Sequence, residues 1–94
     1  MLTIDHQPDG IIRLSGRFDA AQAEMAMREL ENVSDDTTLD FEELAYISSM
    51  GLGILIKTHK QLQDKGKVMR ITNVNKHIRD VFRFTSLDKI FNIE

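Results

Sequence analysis

The chain has 94 residues, no cysteine and a formal charge of −3 at pH 7. This length suits one compact domain, and the absence of cysteine excludes disulfides and thiolate metal sites. The acidic balance and the lack of a Lys/Arg cluster disfavour direct nucleic-acid binding. No apolar run approaches the roughly 20 residues of a membrane span, and no signal peptide is apparent. We therefore expect one soluble, cytoplasmic domain over residues 1–94, without membrane insertion.

The chain opens with a predicted β-hairpin. Residues 2–4 and 11–14 are apolar and β-branched, as is typical of strands. Between them, Pro8-Asp9-Gly10 combines a residue with a fixed φ angle, a polar turn residue and a glycine. This combination favours a tight reversal of the chain, so the two strands are expected to pair.

A helix and a central strand are predicted next. Asp19 is expected to cap a helix over residues 20–32, and Gln22, three positions later, would complete a capping box. Residues 37–41 then predict a buried strand, and residues 44–47 are interpreted as part of the short connection that follows it.

The second half alternates helices with strands. A helix is predicted over residues 50–64, with Lys65-Gly66-Lys67 ending it, and a strand over residues 67–72. A further helix over residues 75–84 and a short hydrophobic segment over residues 87–93 complete the chain. The alternation predicts an α/β domain whose helices cover a small mixed sheet.

The predicted helix over residues 50–64 has one apolar face. Residues at helical spacing define that face: Leu52, Leu55, Ile56, His59 and Leu62. Met50 and Ile54 fall outside it, which predicts that both contribute to an exposed, adaptable contact patch.

Two glycines, Gly51 and Gly53, lie in the first turns of this helix. They do not form a nucleotide-binding loop, because the third glycine of a dinucleotide motif and the Gly-Lys pair of a P-loop are missing. Either they let a partner approach the helix terminus closely, or they permit close packing inside the domain. The sequence leaves both explanations open.

Three segments together resemble the STAS family, typified by bacterial anti-sigma-factor antagonists. The most specific comprises Asp40-Phe41 and residues 47–52, Ile-Ser-Ser-Met-Gly-Leu. Residues 14–19 and 75–91 resemble the early Leu-x-Gly-x-Leu-Asp segment of the family and its C-terminal helix with the closing segment. The resemblance covers nearly the whole chain and implies the fold of a single STAS-like domain.

The resemblance also implies a function. In the family, the serine two positions before this glycine accepts a phosphoryl group, and that position is Ser49 here. Unphosphorylated protein would bind an anti-sigma factor that is also a serine kinase of the ATPase type. Phosphorylation of Ser49 would release it, and a serine phosphatase would restore binding. The alternative is a STAS adaptor or scaffold that regulates secretion, motility or transport.

The expected site therefore consists of residues around one helix terminus. Ser49 is the phosphoacceptor, and Ser48 is its neighbouring competitor. The family places Asp19 near this loop, although local chemistry alone favours a helix cap. The partner-binding residues are expected to be Asp19, Ser48, Met50, Gly51, Gly53 and Ile54. No enzyme, cofactor or metal site is expected, because the histidines are dispersed and no Gly-x-Ser-x-Gly elbow is present.

Overall fold

Six strands and three α-helices alternate along the computed structural model, which describes residues 1–94. The strands are β1 (Leu2–Gln7), β2 (Ile11–Phe18), β3 (Thr37–Asp40), β4 (Leu44–Ile47), β5 (Met69–Thr72) and β6 (Asn92–Ile93). The helices are α1 (Ala23–Leu30), α2 (Ser49–Asp64) and α3 (Lys76–Phe84). Short 3₁₀ turns lie at Pro8–Gly10, Ala20–Gln22 and Leu87–Lys89. The predicted α/β class and the opening hairpin are confirmed.

All six strands form one mixed sheet: five lie in the order β1-β2-β3-β5-β6, and β4 pairs with β2 outside this order. The β1–β2 hairpin is antiparallel, and every other pairing is parallel. Strand β2 is long enough to pair with β3 through residues 11–13 and with β4 through residues 16–18. The carboxyl ends of β2 and β4 consequently meet at the same edge of the sheet.

The interpretation of residues 44–47 as part of a connection is wrong, because they form strand β4. Leu44 pairs with Gly16, and Ile47 pairs with Phe18, with a register shift between Gly16 and Arg17. Gly16 has a φ of +93°, and a Cβ atom there would lie 2.2 Å from the Met1 carbonyl oxygen. Only glycine fits this conformation and this close approach, so Gly16 allows β2 to change partner along its length.

The predicted capping box is also wrong. Asp19 precedes the 3₁₀ turn Ala20–Gln22 and makes no side-chain cap hydrogen bond. The Gln22 side chain instead accepts a hydrogen bond from the Leu2 N–H at 3.1 Å. This contact between distant parts of the chain replaces the local one, and α1 begins only at Ala23.

Helix α2 ends at the predicted place. Gly66 has a φ of +72°, which glycine adopts without steric cost. Its N–H donates to the Gln63 carbonyl at 3.0 Å, and the Lys67 N–H donates to the Leu62 carbonyl at 2.8 Å. These two bonds form a Schellman motif that satisfies the last carbonyls of the helix.

The core lies between the sheet and the helices and contains 21 buried hydrophobic residues. Phe82 of α3 stands at its centre, with ring centroids 6.4 Å from Phe41 and 5.6 Å from Phe91. Asn75 caps α3 by accepting from the Ile78 N–H at 2.9 Å, and its amide donates to the Leu44 carbonyl at 2.9 Å. Helix α3 is thus fixed against β4. None of the helices has the length and apolar character needed to cross a membrane.

Candidate functional site

The candidate site lies where β2 and β4 end side by side. Phe18 is the last residue of β2 and stands opposite Ile47, the last residue of β4. The Ser48 N–H donates to the Phe18 carbonyl at 2.8 Å, which extends the pairing by one step. Asp19 and Ser48 each follow one of these paired residues. The fold therefore brings Asp19 to the start of α2, although the two segments are distant in sequence.

Ser48 and Ser49 occupy different environments. Ser48 is the N-cap of α2, with an extended backbone, and its hydroxyl oxygen accepts from the Gly51 N–H at 3.2 Å. Ser49 is the first residue of the helix, is exposed, and makes no side-chain hydrogen bond within the chain. The Ser48 hydroxyl oxygen is thus engaged in capping, whereas the Ser49 hydroxyl is exposed and has no partner within the chain.

The N-terminus of α2 favours negative charge. Within the chain, the backbone N–H groups of Ser49 and Met50 have no hydrogen-bond acceptor. Unpaired N–H groups and the positive end of the helix dipole stabilise nearby anions, typically by 0.3–1 kcal/mol at exposed positions. A phosphate on the Ser49 side chain would be compatible with the folded helix.

The two glycines of α2 have different surroundings. At Gly51, a Cβ atom would lie 2.8 Å from the Ile47 side chain and 3.1 Å from the Phe18 ring. Gly51 is therefore required by packing inside the domain. At Gly53, which is exposed, a Cβ atom would meet nothing within 4 Å. Space for a close approach to the helix from outside exists only at Gly53.

Of the two residues predicted to form an exposed patch, only Met50 is exposed. Its exposed fraction is 55%, whereas that of Ile54 is 8%. Ile54 faces α1, where it lines a small cavity with Met27 and Gln61. The prediction of Ile54 as a surface contact is wrong, because α2 packs against α1 as well as against the sheet.

Asp19 lies half-buried at this edge, and its Oδ1 atom is buried without a hydrogen-bond partner. A buried carboxylate oxygen without a donor is uncommon, because desolvation of the group is then uncompensated. The carboxylate is therefore able to accept a hydrogen bond at this edge of the sheet.

A second polar cluster surrounds Asp40 at the end of β3. Its carboxylate accepts from the Arg13 guanidinium at 3.2 Å, and from the Asn73 amide and the Glu42 N–H at 3.0 Å each. Burial acts to raise the pKa of Asp40, but these hydrogen bonds and the Arg13 charge outweigh it and hold the pKa below its ordinary value. A fully paired carboxylate of this kind stabilises the fold and has no free oxygen for a substrate.

The structure has little room for a small ligand inside the domain. The cavity between α1 and α2 measures about 10 Å³, which is enough for a single water molecule. A larger, open depression of about 320 Å³ lies on α3, away from the start of α2, and is lined by Asp80, Arg83 and Phe84. No group of three or more His, Asp or Glu side chains is arranged to hold a metal ion. The accessible features at the start of α2 are the exposed Ser49, Met50 and Gly53.

The STAS domain family matches residues 2–94 of this chain. The chain belongs to the STAS domain family. One similar member is BtrV of Bordetella bronchiseptica, named as an anti-sigma factor antagonist, which is 32% identical over 98 residues that cover 98% of this chain and 84% of the relative.

Solved STAS structures share the fold at lower identity. An anti-sigma factor antagonist from Mycobacterium paratuberculosis superposes with a TM-score of 0.81 at 21% identity, covering 99% of this chain and 83% of its own. The phosphorylated form of the Bacillus cell fate determinant SpoIIAA superposes with a TM-score of 0.72 at 16% identity, covering 100% of this chain and 91% of its own. The mixed sheet with three helices is thus the STAS fold.

Two exposed lysines on this side of α2 were not singled out from the sequence. Lys57 and Lys60 are exposed on the same side of α2 as Ser49 and Gly53. The signal was present in the spacing, because steps of three or four residues keep side chains on one helical face. It was overlooked because only the apolar positions of the helix were assigned to a face.

Proposed function

We propose that this protein is an anti-sigma factor antagonist that acts by partner switching under the control of Ser49 phosphorylation. The unphosphorylated form binds an anti-sigma factor that is also a serine kinase of the ATPase type. Phosphorylation releases the partner, and a serine phosphatase restores the binding form. The protein itself acts in the cytoplasm as a binding module and carries out no chemistry.

The exposure of Ser49 at the first position of α2 is the observation that supports this proposal most directly. A kinase needs a hydroxyl that its active site can reach, and the neighbouring Ser48 hydroxyl is engaged in the cap. Partner contact at this terminus also fits the open space beside Gly53 and the exposure of Met50.

Phosphorylation can switch binding without unfolding the domain. A phosphate adds about −1.5 to −2 charges and three acceptor oxygens. A partner surface that fits a neutral hydroxyl must then accommodate a larger, charged and strongly hydrated group. Each tenfold loss of affinity requires about 1.4 kcal/mol, which one poorly accommodated charge in a close contact can supply.

The site of modification can be tested by phosphorylation in vitro. Wild-type protein and two variants, Ser49→Ala and Ser48→Asn, are incubated with the kinase partner and ATP, and modified peptides are mapped by fragmentation mass spectrometry. Asparagine keeps a cap acceptor at position 48 but removes the hydroxyl, so Ser48→Asn is a matched control. We expect phosphate on Ser49 in the wild type and in Ser48→Asn, and loss of the main signal in Ser49→Ala.

Phosphate found mainly on Ser48, or a main signal retained in folded Ser49→Ala, would overturn the assignment of the acceptor. Circular dichroism of each variant establishes that the fold is intact.

A further inference from the structure

The exposed face of α2 extends well beyond the helix terminus. After Ser49 and Met50, the exposed positions along this face as far as Lys60 are Gly53, Lys57 and Lys60. With a rise of 1.5 Å per residue, the segment from Ser49 to Lys60 is about 16 Å long. We call these five residues the α2 strip.

The α2 strip carries positive charge and no carboxylate. Neither lysine forms a salt bridge, and the Lys57 ammonium lies 3.5 Å from the Met27 sulfur. Asp64, the exposed last residue of α2, follows Lys60 by four residues and lies on the same face just beyond the strip, and Glu31, the residue after α1, lines the small cavity together with Lys57. The whole chain has 12 basic and 15 acidic residues, so the strip is a local departure from the overall charge.

We propose that the partner contact runs along the whole α2 strip and that the facing surface of the partner is acidic. The inference rests on the proposed function, because the partner meant is the same anti-sigma factor. Ser49, Met50 and Gly53 meet the partner at the helix terminus. Lys57 and Lys60 meet carboxylates about two and three turns further along, and they increase the rate of association and the affinity.

An acidic partner surface also explains why a phosphate on Ser49 weakens binding. The ammonium groups of the strip attract such a surface, whereas a phosphate on Ser49 presents negative charge to it on the same face of the helix. Opposite charges accelerate association and like charges at close range oppose it. The lysines of the strip thus strengthen the contact with the partner, and a phosphate on Ser49 weakens it.

The test compares two double variants with the same change in charge. Lys57→Glu/Lys60→Glu alters the strip. Lys65→Glu/Lys89→Glu alters two exposed lysines outside it, at the C-cap of α2 and in the last 3₁₀ turn, neither of which forms a salt bridge. Association rates and dissociation constants with the purified anti-sigma factor are measured from about 50 mM to about 500 mM salt, because screening weakens exposed charge contacts.

We expect Lys57→Glu/Lys60→Glu to reduce the association rate about tenfold or more at low salt, with the difference shrinking at high salt. The control pair should stay within about twofold of the wild type, since long-range charge alone has a modest effect. A neutral pair, Lys57→Gln/Lys60→Gln, should fall between the wild type and the glutamate pair, which excludes clashes of new carboxylates with Glu31 as the cause.

Ser49→Glu is measured in the same series to separate the two proposals. If Ser49→Glu weakens binding while Lys57→Glu/Lys60→Glu and the control Lys65→Glu/Lys89→Glu have equal association rates and affinities, the extended acidic contact is wrong and the proposed function stands. If neither Ser49→Glu nor the strip variants change binding, both proposals are wrong.

Discussion

Neighbouring residues at the start of α2 differ because the helix begins between them. Ser48 has an extended backbone, fixed by its N–H bond to the Phe18 carbonyl at 2.8 Å, and this conformation turns its hydroxyl towards the Gly51 N–H. Ser49 is already part of the helix, and its side chain is exposed and makes no hydrogen bond within the chain. A single change of backbone conformation thus separates a structural hydroxyl from an accessible one.

Asp40 is expected to make the stability of the fold depend on pH. Its pKa is lowered on folding, so the unfolded chain takes up its proton at a higher pH than the folded protein does. The stabilisation is therefore complete above the ordinary value near 3.9 and is lost as the pH falls through the lower folded value. Asp40→Asn should reduce the free energy of unfolding by about 1–3 kcal/mol at neutral pH and flatten its decline in acid.

Urea unfolding from pH 7 to pH 2.5 measures this effect. Asp88→Asn is the control, because Asp88 is exposed and forms no ion pair. Equal acid destabilisation of Asp40→Asn and the wild type would show that Asp40 makes no contribution to the pH dependence.

Helix α2 has an exposed face and a buried face, and substitutions on the two faces should have different effects. Met50→Asp places a carboxylate on the exposed face near the helix N-terminus, where negative charge is tolerated. It should preserve the fold and weaken partner binding about tenfold or more. Ile54→Asp buries a charge against α1 and should destabilise the domain by more than about 3 kcal/mol.

Thermal unfolding followed by circular dichroism, together with calorimetric binding, separates these two effects. The assignment of faces is wrong if Ile54→Asp is as stable as the wild type, or if folded Met50→Asp binds the partner with unchanged affinity.

Elements that depend on local chemistry were predictable from the sequence. Pro8-Asp9-Gly10 reverses the chain, and Gly66 ends α2, because few other residues adopt their backbone conformations readily. The capping box at Asp19 and Gln22 failed because the Leu2 N–H, twenty residues away, takes the Gln22 side chain as its acceptor. The Gln22 side-chain oxygen can accept either from a nearby N–H in a capping box or from the distant Leu2 N–H. Which of these similar hydrogen bonds forms depends on the tertiary structure.

Contacts between separate elements also account for the wrong prediction at Ile54 and for the open question at the two glycines. Ile54 lies outside the apolar stripe that faces the sheet, but α1 covers this side too, and a single-helix pattern contains no information about that second neighbour. Gly51 packs against Ile47 and Phe18, which belong to two different strands. The position of Ser49 before a glycine was visible in the sequence, whereas the division of roles between Gly51 and Gly53 required the packed structure.

The parallel pairing of β2 and β4 positions the residues of the candidate site. Because β2 and β4 run in the same direction, their carboxyl ends bring Asp19 and Ser48 to one edge of the sheet. Strand β4 has only four residues and depends on a pairing with β2 and on the contact of Asn75 with Leu44. Strands β3 and β5 are equally short and were predicted, so length does not explain the missed strand. The pairing of residues 44–47 with β2 follows a register shift at Gly16, and a local sequence pattern does not show such a contact between distant segments.

In the proposed function, a phosphate on Ser49 controls partner binding while the fold stays intact. Calorimetry with the purified anti-sigma factor tests it directly, using unmodified protein, protein phosphorylated at Ser49, and the Ser49→Ala and Ser49→Glu variants. We predict that the unmodified protein and Ser49→Ala bind alike, that phosphorylation weakens binding at least about tenfold, corresponding to about 1.4 kcal/mol, and that Ser49→Glu has a smaller effect. If folded, phosphorylated protein binds as tightly as the unmodified protein, phosphorylation of Ser49 does not control partner binding.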